Sequence, residues 1–148
     1  VAEWTNGEFT LTDDPERVDI DAVERMLRKS YWASKRERRV IEKSFASSFV
    51  LSLFHGVEMI AMARVVSDFC TFAWICDVFV EEDFRGRGLS KWMMEVLLSH
   101  DAFATSTRWC LATHDAHELY RRFGFIDAQK GRWMTKGFGV LDLCDETA

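Results

Sequence analysis

The chain has 148 residues, of which 48% are hydrophobic and 29% charged, and a formal net charge of −5. That length suits one domain able to bury most of its surface, so a single domain over 1–148 is expected. The acidic balance, without a long basic run, argues against a nucleic-acid partner, and no apolar stretch approaches the ~20 residues that span a bilayer, so no membrane partner is expected.

Taken in chain order, Glu8 to Thr12 alternates as a first strand, and Asp13-Asp14-Pro15 turns the chain. Asp19 to Lys29 reads as a helix, with Ile20, Val23, Met26 and Leu27 on one face. Ser34 is placed to cap a second helix from Lys35 to Ala46. Phe49 to Phe54 reads as a strand, His55-Gly56 as a turn, and Val57 to Val66 as the hairpin partner. Thr71 to Val80 is long and mostly apolar, as in a strand covered on both faces. A helix over 89–100 carries Leu89, Trp92, Met93, Val96 and Leu97 on one stripe. A strand over 108–112, a helix over 116–123 and short strands near 125–128 and 132–136 complete the order β-α-α-β-β-β-α-β-α-β-β, an α/β chain.

The most telling stretch runs from Asp77 to Leu98: strand, acidic turn, Arg85-Gly86-Arg87-Gly88, amphipathic helix. Glycines let backbone N–H groups approach an anion, and the helix start adds unpaired N–H groups and the positive dipole end. Arg85 and Arg87 add fork-shaped donors. The order suits a diphosphate. Two familiar loops do not fit it. A Rossmann turn wants a third glycine where Gly86-Arg87-Gly88-Leu89-Ser90-Lys91 has lysine, and no P-loop run is present.

Arg85-Gly86-Arg87-Gly88-Leu89-Ser90 closely resembles the coenzyme A loop of the GCN5-related N-acetyltransferases, R/Q-x-x-G-x-G/A, with Ser90 replacing the final small residue. Downstream, Ala116, Leu119, Tyr120, Gly124 and Phe125 fall in register with that superfamily's A-x-x-L-Y-x-x-x-G-F, in the family's order and at a family-like separation. The element order is compatible with the family's twisted mixed sheet carrying helices on both faces.

The resemblance implies an acetyl-CoA-dependent N-acetyltransferase acting by direct transfer, with acetyl-CoA as co-substrate. It places backbone groups of Val78, Phe79 and Val80 beside the pantetheine and acetyl carbonyl, with an N–H, that of Val80, stabilising oxyanion charge. It places the backbone from Arg87 through Gly88, Leu89 and Ser90 on the diphosphate, with side chains of Arg85, Arg87 and Lys91 within reach, and Thr113 near the pantetheine arm. Tyr120 takes the position of the general acid that protonates the departing sulfur; a phenol is protonated at neutral pH.

Where some members carry a glutamate base, Phe72 stands here. Asp77 is the best substitute, since a carboxylate in an apolar strand needs a partner or a task; a hydrogen-bonded core aspartate is the competing reading. Glu81, Asp115 and His117 are weaker candidates. Tyr31, Trp32, Trp74 and the cluster Lys35-Arg36-Glu37-Arg38-Arg39 are expected near the acceptor, a small-molecule amine, with the cluster either solvated or binding an anionic group. A protein amine is the alternative acceptor, and a homodimer is compatible with the chain. Non-catalytic acyl-CoA binding and nucleotide binding are the competing classes.

Cys70, Cys76, Cys110 and Cys144 show no C-x-x-C spacing and read as buried thiols of a reducing cytoplasm. The N-terminus lacks the basic and apolar regions of a signal peptide, in keeping with a cytoplasmic location. His114 and His117 flank Asp115 without further ligands, so no metal is expected.

Overall fold

The computed structural model of the protein describes residues 1–106 and 108–137. Six strands form one sheet in chain order: β1 Glu3–Asn6, β2 Phe9–Thr12, β3 Phe49–His55, β4 Glu58–Ser67, β5 Ala73–Val80 and β6 Trp109–Leu111. The pairs from β1 to β5 are antiparallel, and β6 joins β5 in parallel. The helices are α1 Ile20–Arg28, α2 Arg38–Ala46, α3 Leu89–Ser99 and α4 His117–Arg121.

Side chains alternate across the strands, and the alternation fills two cores. Val50, Phe54, Met62 and Phe79 pack with Val23, Met26 and Leu27 of α1 and Ile41 and Phe45 of α2. Leu51, Leu53, Val65 and Ile75 pack with Met93 and Leu97 of α3 and Tyr120 of α4. Each such aliphatic side chain contributes about 1.5–3 kcal/mol on burial. The expected α/β class, a mixed sheet with helices on both faces, is the one that forms. α1 begins where Asp19 accepts a hydrogen bond from the Ala22 N–H at 3.1 Å. α4 ends in a Schellman stop: Phe125 N–H donates to Tyr120 C=O and Gly124 N–H to Arg121 C=O, with Gly124 at φ +87°.

The finer expectations change in four places. A strand precedes the expected first one: Asn6 pairs with Phe9 around a two-residue loop, with Gly7 at φ +59°. α2 begins at Arg38, not Lys35, and Ser34 does not cap it; Arg28 Nη1 instead holds the carbonyls of Ser34 and Arg36 at 3.2 and 2.6 Å. β5 begins at Ala73, because the Asp68 carboxylate collects the N–H groups of Cys70, Thr71 and Phe72 in a tight turn. Cys70 lies on that turn and is exposed, contrary to the expectation of a buried thiol; Cys76 is buried and Cys110 half-buried. Finally, 125–128 and 132–136 are not strands. That stretch holds an Arg132 N–H to Gln129 C=O turn and exposes Ile126 and Met134. Cys144 lies outside the described residues.

Candidate active site

β5 and β6 pair at three positions, Ala73 with Trp109, Trp74 with Cys110 and Ile75 with Leu111. β6 then stops, while β5 runs on to Val80. From Val78 to Val80 the edge of β5 turned toward β6 has no ladder partner among the described residues, which opens a cleft. On its other edge β5 stays bonded to β4, and Glu81 N–H donates to Ile60 C=O at 2.8 Å. Antiparallel bonds alternate along a strand, so the neighbouring Val80 turns its N–H and C=O the other way, into the cleft. Val78 and Val80 side chains pack on the α3 face and Phe79 on the α1–α2 face, leaving backbone at the cleft edge.

A bulge interrupts β5 just before this edge. Between the pairs Arg64–Cys76 and Met62–Phe79, Ala63 alone faces Asp77 and Val78. Asp77 takes φ +49°, a left-handed conformation that costs a non-glycine residue energy. Its carboxylate is fully buried and answers three donors: Trp32 Nε1 on Oδ1 at 2.9 Å, and Arg36 Nη1 and Arg64 Nε on Oδ2, each at 2.8 Å. Burial opposes its charge, but the guanidiniums of Arg64 and Arg36 outweigh burial and hold its pKa below the ordinary carboxylate value. Of the two sequence readings, the geometry is that of the ion-paired core aspartate.

Beyond Val80 the chain makes a 3₁₀ turn over Glu82–Phe84 and enters the glycine loop. Gly86 and Gly88 both sit at φ +75°, and a Cβ at either would meet nothing within 4 Å. Glycine is needed there for backbone conformation, and the space beside it is open. Gly88 heads α3, which has no side-chain cap, so the first N–H groups of the helix, at Leu89, Ser90 and Lys91, lack intrahelical partners. Leu89 buries its side chain and offers only backbone. Arg85 turns back: its Nε donates to Val80 C=O at 2.9 Å and its guanidinium lies 5.2 Å from the Phe79 ring centroid. Arg87 leans on Phe84 and the Asp83 carbonyl, and Lys91 faces Glu95 at 3.8 Å. The loop is thus a backbone cradle with an arginine brace.

On the other side of the cleft, Thr113 is buried and its hydroxyl accepts from the Ala116 N–H at 3.0 Å, opening α4. Tyr120 is 1% exposed, packs its ring against Phe125 and shares a core cluster with Val78 and Val80. Thr113, His117, Tyr120 and Trp74 line one cavity, while Asp115 is exposed. Glu81 is tied to α1, with Lys29 Nζ at 2.6 Å and Arg25 Nε at 3.6 Å.

The wall of the cleft on the α1–α2 side is aromatic. Tyr31 lies edge-on to Trp32 at 5.0 Å and reaches His114 at 6.0 Å, while Trp32 sits 6.3 Å from Phe79. The basic cluster expected here divides. Arg38 is taken by Asp21, Glu24 and Glu42, and Arg39 by Glu37. Arg36 alone among its arginines turns to Asp77.

The sequence over residues 8–125 matches the acetyltransferase (GNAT) family. The chain belongs to that family. Its fold superposes with TM-score 0.83 on a protein assigned to the GNAT acetyltransferases from Xanthomonas campestris pv. campestris, 32% identical, covering 88% of this chain and 93% of that one. An N-acetyltransferase named ycf52 from Porphyra purpurea is 29% identical over 119 residues, 77% of this chain and 68% of its own length. A named acetyltransferase of Gibberella zeae is 23% identical over 114 residues, and the match spans only 64% of that protein. Glucosamine-6-phosphate N-acetyltransferase from Arabidopsis thaliana shares the fold at TM-score 0.63 and 17% identity.

Within this GNAT fold, the glycine loop and the Tyr120 segment fall at opposite sides of the opening between β5 and β6. The links that sequence reasoning missed are those of Trp32, Arg36 and Arg64 to Asp77. They come from three separated segments, and the one available signal was a carboxylate inside an apolar strand, which required partners.

Proposed function

We propose that the chain transfers an acetyl group from acetyl-CoA directly to a primary amine of a small molecule. The observation that carries this reading is one cleft with two ends: the edge of β5 from Val78 to Val80, which has no ladder partner on the β6 side among the described residues, and the uncapped, glycine-led start of α3. The open space at Gly86 and Gly88 fits a diphosphate, which the N–H groups from Arg87 to Ser90 would hold. An acyl-pantetheine arm laid along β5 would find backbone donors there, as an added strand does. The Val80 N–H is aimed to stabilise charge developing on the thioester oxygen. Tyr120 supplies a proton to the leaving sulfur, completing exchange of a C–S bond for a C–N bond. Asp77 enters as a positioning group. With two guanidiniums and an indole on its oxygens, it fixes the bulge and leaves the amine's proton to depart through the open end, where His117 and Asp115 stand.

Calorimetric titration with acetyl-CoA, with ATP and NAD as controls, tests the reading first. Selective binding followed by amine-dependent release of free thiol is the expected result. Absence of binding at millimolar acetyl-CoA, or binding without turnover of any amine, would overturn it.

A further inference from the structure

Beneath the aromatic wall lie two ion-paired carboxylates. Arg36 and Arg64 share the single carboxylate of Asp77, and Arg25 and Lys29 share that of Glu81. The two aspartate-bound arginines are not solvated surface groups: their side chains are 21% and 12% exposed, and Asp77 is 1% exposed. A guanidinium donor left unengaged in such a place favours an anionic guest.

Arg36 is the member with donors to spare. Asp77 occupies Nη1, and no described residue engages Nε or Nη2. Those two nitrogens form the side-on fork of a guanidinium, whose spacing matches the two oxygens of a carboxylate. The residue is held firmly, since its backbone N–H donates to Ala33 C=O and its own C=O accepts Arg28 Nη1 at 2.6 Å. Its partner Asp77 precedes Val78 at the bulge, so an anion on Arg36 lies a few bonds from the strand proposed to hold the acetyl group.

We propose that the acceptor is a small amine that itself bears a carboxylate, as an amino acid does, and that Arg36 receives that carboxylate through its free fork. The proposal rests on the acetyltransferase reading of this cleft and narrows its substrate class. Arg36 acts as a specificity-determining residue, with Asp77 and Trp32 setting its position.

The test uses free L-amino acids paired with their α-carboxamides, plus phosphoethanolamine, as acceptors for the intact protein, with thiol release as readout and acetyl-CoA affinity measured separately by calorimetry. At least one acid should exceed its amide about 10- to 100-fold in kcat/KM, the worth of a charge-assisted pair. Arg36→Gln should erase that preference, raising the acid's KM about 10- to 100-fold more than the amide's, with any loss of acetyl-CoA affinity common to both acceptors. Arg36→Lys, which keeps the charge and loses the fork, should restore part of it. Amides equal to acids, an equal loss for both in Arg36→Gln, preference for phosphoethanolamine, or no turnover of any acid would each overturn the proposal. Failure of the wild-type protein to bind acetyl-CoA would overturn the parent reading, and this one with it.

Discussion

Arg85 reaches back across the glycine loop and donates from Nε to the carbonyl of Val80 at 2.9 Å, tying the loop to the end of the strand that precedes it. This contact gives the first residue of the R-G-R-G run a mechanical role. A hydrogen bond from a charged donor is worth about 1.5–3 kcal/mol. Arg85→Ala should therefore weaken acetyl-CoA binding roughly tenfold or more. The loss should depend little on salt, because a brace, unlike a phosphate contact, is not screened. Titrations at low and high ionic strength distinguish the two; a loss that vanishes at high salt would return Arg85 to the phosphates.

Gly88 tests the cradle itself. At φ +75°, with open space around a built Cβ, a side chain there meets backbone strain and no clash. Left-handed geometry costs an ordinary residue about 1–2 kcal/mol, and asparagine less. The expected order of acetyl-CoA affinity is wild type, then Gly88→Asn, then Gly88→Ala, with Gly88→Val the weakest. Calorimetry gives the order directly. Full affinity in the valine variant would move the diphosphate elsewhere.

Tyr120→Phe removes one oxygen from a ring that is otherwise packed. General-acid assistance typically contributes about 10²–10⁴-fold. We expect kcat to fall by about 10² at the low end of that range, with the KM for acetyl-CoA within twofold. An unchanged kcat would assign the phenol to packing alone.

Asp77→Asn leaves Arg36 and Arg64 facing an amide in a buried site. Breaking one side of such a pair costs about 3–5 kcal/mol. The pH dependence has a definite sign. The folded-state pKa of Asp77 is depressed, so its stabilisation is complete above the unfolded carboxylate range and is lost as pH falls through the folded value. Urea midpoints measured from pH 7 down to pH 2 should therefore drop less steeply in Asp77→Asn than in the wild type. Asp13 and Asp68 are also depressed, so an acid limb remains in the variant. Parallel curves would remove Asp77 from the balance.

The middle of the chain was legible because its signals are local. Gly88 heads a helix, Gly124 stops one, and Val78 to Val80 alternate across a covered strand, each decided within a few residues. The misread places are where distant atoms intervene. Arg28 captures the carbonyls of Ser34 and Arg36, so a segment with helical composition stays unwound. Asp68 captures three N–H groups that an extended reading gives to β5. The N-terminal hairpin did leave a local mark, Asn6-Gly7 between Trp4 and Phe9, and could have been read from it. Arg36 could not be separated from its neighbours in the basic cluster, because only the fold decides which arginine meets Asp77.

The short seam between β5 and β6 has a thermodynamic corollary. Among the described residues three positions pair, which joins the two strands over a fraction of β5's length, and a guest laid along Val78 to Val80 would extend the sheet there. Its binding energy then counts as folding energy, about 2.7 kcal/mol at a hundredfold excess over Kd. On the proposed reading, the melting temperature rises with the concentration of free acetyl-CoA, and the seam is the part of the fold that an empty opening leaves least supported.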